Sequence, residues 1–426
     1  MGGYLVVGAV GAVVTFLTTF LVRRIAPRIG AVSMPGPRSV HTYPTPSLGG
    51  AAMFLGFCAA LATASQLDQF RDMFDSSSEP VGLLLAGGVM FLVGAVDDLR
   101  PVSPPAKVAG QVFSASLLCL FGVTMFYFRV PFASYDYIVL SPDLAVLVTV
   151  VTVVVLANAM NLIDGLDGLA TGIVIIAGTA MFLYSDRLLK AGLLDSSNIA
   201  PLVAVIAVSI CVGFLPHNFN PARIFMGDAG AMFLGLLLAV TTIEMGGRTA
   251  DQFSGQTYFF FAPLLIPLVI LAVPLLDTAF SFLRRLIGRK SFHVADREHL
   301  HHRLMRLGHG PRRSVAILWL WTALASALAL IPTYTDRGNA LVPIALAALA
   351  LLLFTYFHPG RGDGESEVPG DGLPGAGLSE SRLPDGRHRD EEAPDAGLPD
   401  DGLPERRSGD GVVQLDDRRR IRDGAG

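Results

Sequence analysis

Carboxylates, amides and basic side chains gather in five short polar islands between long apolar runs of this 426-residue chain. The densest reads NAMNLIDGLDGLATG, from Asn158 to Gly172. Its Asn158, Asn161, Asp164 and Asp167 recur every three residues, which on a helix lays them along one slowly drifting face. Gly165 and Gly168 permit close approach of a ligand or another backbone. A second island, VDDLRPVSPPAK, sets Asp97 beside Asp98, with Lys107 nine residues on. Adjacent carboxylates repel, and a cation or a shared proton relieves the repulsion. The same pair serves equally as polar punctuation at a helix end, and Lys107 reads as a phosphate anchor or as a membrane-interface lysine. A third, HNFNPARIFMGDAG, carries Asn218, Phe225 and Asp228. A carboxylate between glycines at the start of an apolar run binds a metal or caps a helix, and Phe225 stacks on a base or simply packs.

Two further islands are basic. PGPRSVHTYPTPSLGG, from Pro35, offers Arg38 and His41 to a phosphate on a loop stiffened by proline; a plain turn with a snorkelling arginine is the other reading. DREHLHHRLMRLGHG offers His299, His301, His302 and Arg303. Zinc fits poorly there, with no nearby cysteine and no histidine pair at i, i+4. A phosphate clamp fits better, because arginine presents paired donors to phosphate oxygens.

The elements that must position these groups are membrane helices. The chain is 52% hydrophobic and 16% charged, which excludes an ordinary soluble enzyme and indicates a polytopic membrane protein. An Asp at the centre of a membrane helix costs about 2.5–3.5 kcal/mol on insertion scales, so repeated carboxylates at span ends indicate a built site. Windows of about 20 apolar residues predict about eleven transmembrane helices, near residues 3–22, 48–66, 80–96, 107–127, 139–160, 168–185, 198–216, 228–246, 257–282, 315–332 and 340–357. Lysine and arginine concentrate in the loop after the first span and in the loop near 283–314, whereas the loops after the second and eighth spans hold only Arg71 and Arg248. The positive-inside rule then places the N-terminus outside and every island on the cytoplasmic face. The three cysteines, Cys58, Cys119 and Cys211, fall within apolar runs and indicate no disulfide framework.

Residues 358–426 have another character. From Pro359 onward there are 10 arginines against 17 acidic residues, a net charge of −7, with abundant Gly and Pro. Such a segment buries no core. The division expected is a transmembrane domain over 1–357 and a disordered acidic tail over 358–426. The fold class expected is all-α: a polytopic integral membrane protein with a cytoplasmic active site.

The Asp-Asp pair with its lysine, NxxNLIDGLDGLA, NPARIFMGDAG and HLHHRL, in this order, resemble the polyprenyl-phosphate N-acetylhexosamine-1-phosphate transferases over about residues 1–357. HLHHRL resembles the branch using UDP-N-acetylglucosamine; the peptidoglycan branch, which transfers phospho-MurNAc-pentapeptide, more typically shows three histidines followed by Phe-Glu. The resemblance implies a bacterial plasma-membrane enzyme that joins a polyprenyl phosphate lipid carrier to the sugar phosphate of UDP-N-acetylglucosamine, releases UMP and requires Mg2+. It implies magnesium contacts at Asn161 and Asp228. Nucleoside contacts follow at Asp167, Asn218 and Phe225, and phosphate or sugar contacts at Lys107, His301, His302 and Arg303, within the island that also holds His299. Asp97 and Asp98 correspond to the pair assigned to lipid-phosphate activation, and Asp164 joins them as a catalytic candidate. A covalent aspartyl-phosphate route stays open beside direct displacement. No nucleic-acid partner is expected, and a homodimer is compatible with the reading. A transporter is the rival of another class. It requires carboxylates deep in interrupted helices, whereas here the carboxylates lie at or near span ends, with Asp277 the furthest within and near the same edge.

Overall fold

A computed structural model of the protein describes residues 1–35, 43–128, 138–246, 268–269, 271–287, 300–335 and 341–357. Arg38, His41, His299 and the acidic tail lie outside the described residues. So does the opening of the span expected at 257–282. Side chains of His301 and His302 are likewise outside.

Helices dominate what is described. They are α1 Gly2–Ile25, α2 Gly50–Ala64, α3 Arg71–Ser76, α4 Glu79–Leu99, α5 Pro104–Leu120, α6 Pro142–Ile163, α7 Leu169–Lys190, α8 Ala200–Asn218, α9 Gly227–Gly246, α10 Ala272–Ile287, α11 Leu300–Arg306, α12 Pro311–Tyr334 and α13 Leu341–Phe357. Two short hairpin pairings interrupt them: β1 Val32–Ser33 with β2 Thr45–Pro46, and β3 Tyr127–Phe128 with β4 Ile138–Val139, both antiparallel. Seven of the described helices are long and apolar enough to cross a membrane, and eight if α2 and the segment Asp68–Ser76, bent by 90°, count as one broken span. The protein is thus a mostly helical, polytopic membrane protein.

Local chemistry explains the boundaries. Pro at the first turn starts α4, α5, α6, α8 and α12, where its missing N–H costs nothing. The span expected over 107–127 begins three residues earlier and stops at Leu120, because Gly122 takes a positive φ of 100° and turns the chain into β3.

At the centre stands α9, every residue from Ala229 to Gly246 buried. It packs against α6, α4, α8 and α2. Small residues set these crossings. A Cβ added at Gly94 of α4 would lie 2.4 Å from Ala229 Cα, and one at Gly235 of α9 would lie 2.5 Å from Ala157 Cα. A larger residue at either would push a neighbouring helix away from α9.

Candidate active site

The ends of α4, α6 and α8 meet the beginnings of α7 and α9 around a cavity of about 420 Å³. Asp97, Asp98, Asn161, Asp164, Asp167, Asn218, Phe225 and Asp228 all line it. Three separate islands, spread over more than 130 residues of chain, are therefore one site. Lys107, at the start of α5, is drawn into the same cluster.

Asp97 and Asp98 diverge. Asp97 Oδ1 accepts the backbone N–H of Val102 at 2.7 Å, and its Oδ2 accepts Lys107 Nζ at 2.9 Å. Lys107 Nζ also pairs with Asp228, so it bridges α4 and α9. Asp98 turns the other way. Its two oxygens accept the backbone N–H groups of Asp228, at 2.8 Å, and Ala229, at 3.1 Å. These are orphan donors of the first turn of α9. The cap of α9 is thus supplied by α4 and not by Asp228, whose own carboxylate is left for the cavity. Gly227, at φ 70°, makes this possible: a Cβ there would lie 2.3 Å from Asp98 Oδ2.

The motif of Asn158 to Gly172 departs from a single helical face. α6 ends at Ile163, Asp164 takes ψ 47°, and Gly168 at φ 75° opens α7. Asn161 lies on the last turn of α6, whereas Asp164 and Asp167 lie in the turn, yet all three line the cavity. Asn158 does not; its amide pairs with Gln111 of α5. The period of three survives in sequence because the turn redirects the second half of the motif. Asp167 Oδ2 accepts Asn220 Nδ2 and the backbone N–H of Ala222, both at 2.9 Å. Asn220 Oδ1 in turn accepts Arg312 Nε of α12 at 2.9 Å.

Asn218 is buried and largely consumed by the scaffold. Its Oδ1 accepts the N–H of Gly168 at 3.1 Å and the hydroxyl of Thr171 at 2.9 Å, and its Nδ2 donates to Ile224 O at 3.1 Å. It clips the end of α8 to the start of α7. Phe225 is held by backbone bonds, its N–H to Pro46 O at 2.9 Å and its carbonyl from Gly49 N–H at 2.9 Å. This zipper brings Ser47, together with Val32 and Ser33 of β1, to the cavity wall, three residues that no charge pattern marks. Arg303 is exposed on α11 and is not among the lining residues.

Five carboxylates thus line one cavity, and Lys107, itself not among the lining residues, pairs with two of them, an arrangement that favours a cation or a proton. Burial, with the nearby carboxylates of Asp228, Asp98 and Asp167, pushes the Asp164 carboxyl well above the usual carboxylate range. Among the described residues no three His, Cys, Asp or Glu side chains form a preorganised metal cage. An amide oxygen and a carboxylate with room for more ligands suit magnesium, which keeps water and substrate phosphates in its shell.

Residues 80–246 match the model of the family described as Glycosyl transferase family 4. The chain is 35% identical over 352 residues to the decaprenyl-phosphate N-acetylglucosaminephosphotransferase of Mycolicibacterium smegmatis, covering 82% of this chain and 87% of that protein. The enzyme of that name from Mycobacterium tuberculosis is 38% identical over 323 residues, 75% of this chain and 80% of the relative. A probable undecaprenyl-phosphate N-acetylglucosaminyl 1-phosphate transferase of Bacillus subtilis is 31% identical over 311 residues, 73% of this chain and 80% of its own. Similarity of this extent, running through every helix that frames the cavity, makes the chain a member of glycosyl transferase family 4, among its polyprenyl-phosphate N-acetylglucosamine-1-phosphate transferases.

Proposed function

We propose that the protein transfers N-acetylglucosamine 1-phosphate from UDP-N-acetylglucosamine to polyprenyl phosphate at the cytoplasmic face of a bacterial plasma membrane. A lipid-phosphate oxygen attacks the phosphorus that bears the sugar. The bond from that phosphorus to the bridging oxygen breaks, and UMP departs with that oxygen. The products are polyprenyl-diphosphate-N-acetylglucosamine and UMP. The observation that carries this reading is the convergence of Asp97, Asn161, Asp164 and Asp228 on one cavity at the helix ends of a membrane bundle, with Lys107 paired to Asp97 and Asp228. The names of these relatives add an acceptor and a sugar, and they speak for N-acetylglucosamine over a muramyl-pentapeptide donor.

Phosphoryl transfer requires neutralised charge and an aligned nucleophile more than covalent help from the protein. Asn161 and Asp228 would hold Mg2+, which supplies charge neutralisation at the diphosphate. Lys107, poised between Asp97 and Asp228, exchanges a carboxylate partner for a phosphate oxygen when donor enters. Asp97 is then released to take the proton of an incoming lipid phosphate monoanion. Asp167 and Phe225 line the cavity where a nucleoside's N–H groups and ring face would be met. Eleven spans, with the N-terminus outside, complete the proposed topology. Purified protein, polyprenyl phosphate and Mg2+, supplied in turn with radiolabelled UDP-N-acetylglucosamine and UDP-MurNAc-pentapeptide, test this. Label is expected in the lipid phase from the first donor almost alone. Preference for the second would overturn the donor, and no labelled lipid from either would overturn the reaction.

A further inference from the structure

One turn of helix deeper than the cavity, three of its helices are tied together a second time. Gln111 lies four residues beyond Lys107 on α5, Asn158 three residues before Asn161 on α6, and Met232 four residues beyond Asp228 on α9. Each offset is about one turn, so each side chain shares a helix face with its site residue. Asn158 Nδ2 donates to Gln111 Oε1 at 2.7 Å and to Val154 O at 2.8 Å. Gln111 Nε2 reaches Met232 Sδ at 3.0 Å and Asn158 Oδ1 at 3.4 Å. Gln111 is wholly buried, and nothing in its apolar sequence neighbourhood marks it.

A buried amide is costly unless its hydrogen bonds are made. Polar bonds between membrane helices also add little net stability on average. An apolar residue of similar size would pack as well. What the amide pair supplies instead is geometry. Two planar amides facing each other match in one rotation and one height of the helices, and a slide of either helix loses both bonds together. Lys107 Nζ reaches Asp97 of α4 and Asp228 of α9 only when α5 keeps its height, and Asn161 enters the cavity wall only when α6 keeps its rotation.

We infer that Gln111 is a positioning residue for the transfer reaction: its amide pair with Asn158, backed by Met232, holds α5, α6 and α9 in the register that converges Lys107, Asn161 and Asp228. It touches no substrate. The inference rests on the phosphosugar transfer proposed above, and its test separates the two.

The experiment uses the purified full chain with UDP-N-acetylglucosamine, polyprenyl phosphate and Mg2+, together with UMP binding by calorimetry and thermal melting. Gln111→Leu is expected to lower kcat about 10–100-fold, the scale of an ångström-sized misplacement. The KM for donor and the affinity for UMP should stay within about threefold. Gln111→Asn and Asn158→Gln should each lower kcat as well. The double variant Q111N/N158Q exchanges the two amides across the helices at constant combined length, and is expected to return to within about threefold of the wild type. Wild-type kcat in Gln111→Leu overturns the inference. So does a double variant no better than its single parents while all three bind UMP, or a lowered melting temperature with kcat per UMP-binding site unchanged. If Gln111→Leu does not fold, the exchange series decides by the same criteria. A wild type that neither binds UMP nor transfers sugar phosphate would overturn the functional reading and this inference together.

Discussion

At the scale of residues, the two neighbouring aspartates of α4 have different work. Asp97 pairs with Lys107 beside the cavity. Asp98 spends both oxygens on the first turn of α9, so it builds the site by starting the helix that carries Asp228. The distinction is measurable. Asp228→Ala removes a cavity carboxylate without touching a cap, and turnover should fall by about 10²–10³, the loss typical of one transition-state-stabilising group, with melting nearly unchanged. Asp98→Ala should lower turnover and also remove about 1–2 kcal/mol of stability, as loss of a helix cap does. Equal melting temperatures for the two variants would contradict the capping role, and near-normal turnover in Asp228→Ala would contradict the metal role. The sequence marks both aspartates as important, but adjacency in the chain says nothing about which way each points.

At the scale of elements, the site is an assembly of helix ends. α4, α6 and α8 finish where α7 and α9 begin, and the chain returns to this end after each pair of crossings. Sidedness follows from the loops, which makes it testable. In a chain whose Cys58, Cys119 and Cys211 are replaced by alanine, a single cysteine at Ser103, between α4 and α5, should resist a membrane-impermeant thiol reagent in intact cells. So should one at Ser291, in the basic segment. A cysteine at Ser196, exposed between α7 and α8, should react. Labelling at Ser103 without permeabilisation, or protection at Ser196, would invert the topology. The positions of most of the described helices were readable because apolar length is a one-dimensional property. The early stop of α5 at Leu120 and the 90° break after α2 were not. The first depends on a backbone turn at Gly122 inside a stretch that stays apolar; the second follows the polar run SQLDQ, which marks an end of the apolar stretch but not the direction the chain takes after it.

For the whole molecule, the catalytic chemistry is expected to reside in the helical part alone. The segment from Pro359 carries −7 and lacks a periodic apolar face, so it is expected to add no packing that a membrane core needs. Its charge should slightly repel an anionic donor, an effect screened beyond about 8 Å at physiological salt. A chain ending at Gly360 should retain the turnover per molecule of the full chain in detergent. Loss of turnover in a monodisperse, membrane-inserted truncated protein would make the tail part of the enzyme.

By itself the sequence determined the class of the protein, most of its described helices and most of the polar residues that line its cavity. Hydrophobic length, loop charge and the forced rarity of carboxylates in lipid are legible one residue at a time. Asn161, Asp164, Asp167, Phe225 and Asp228 stood out because each is a polar or aromatic interruption beside glycine or an apolar run. Tertiary structure alone decided their division of labour. It placed Asp98 under α9, enclosed Asn218 within the scaffold, and moved Asn158 out of the cavity onto Gln111. It also recruited Ser47 and the short strand at Val32. The reason is physical: a side chain's role is set by which unpaired backbone or side-chain group lies within about 3 Å of it, and that neighbour sits on another helix, up to 131 positions away.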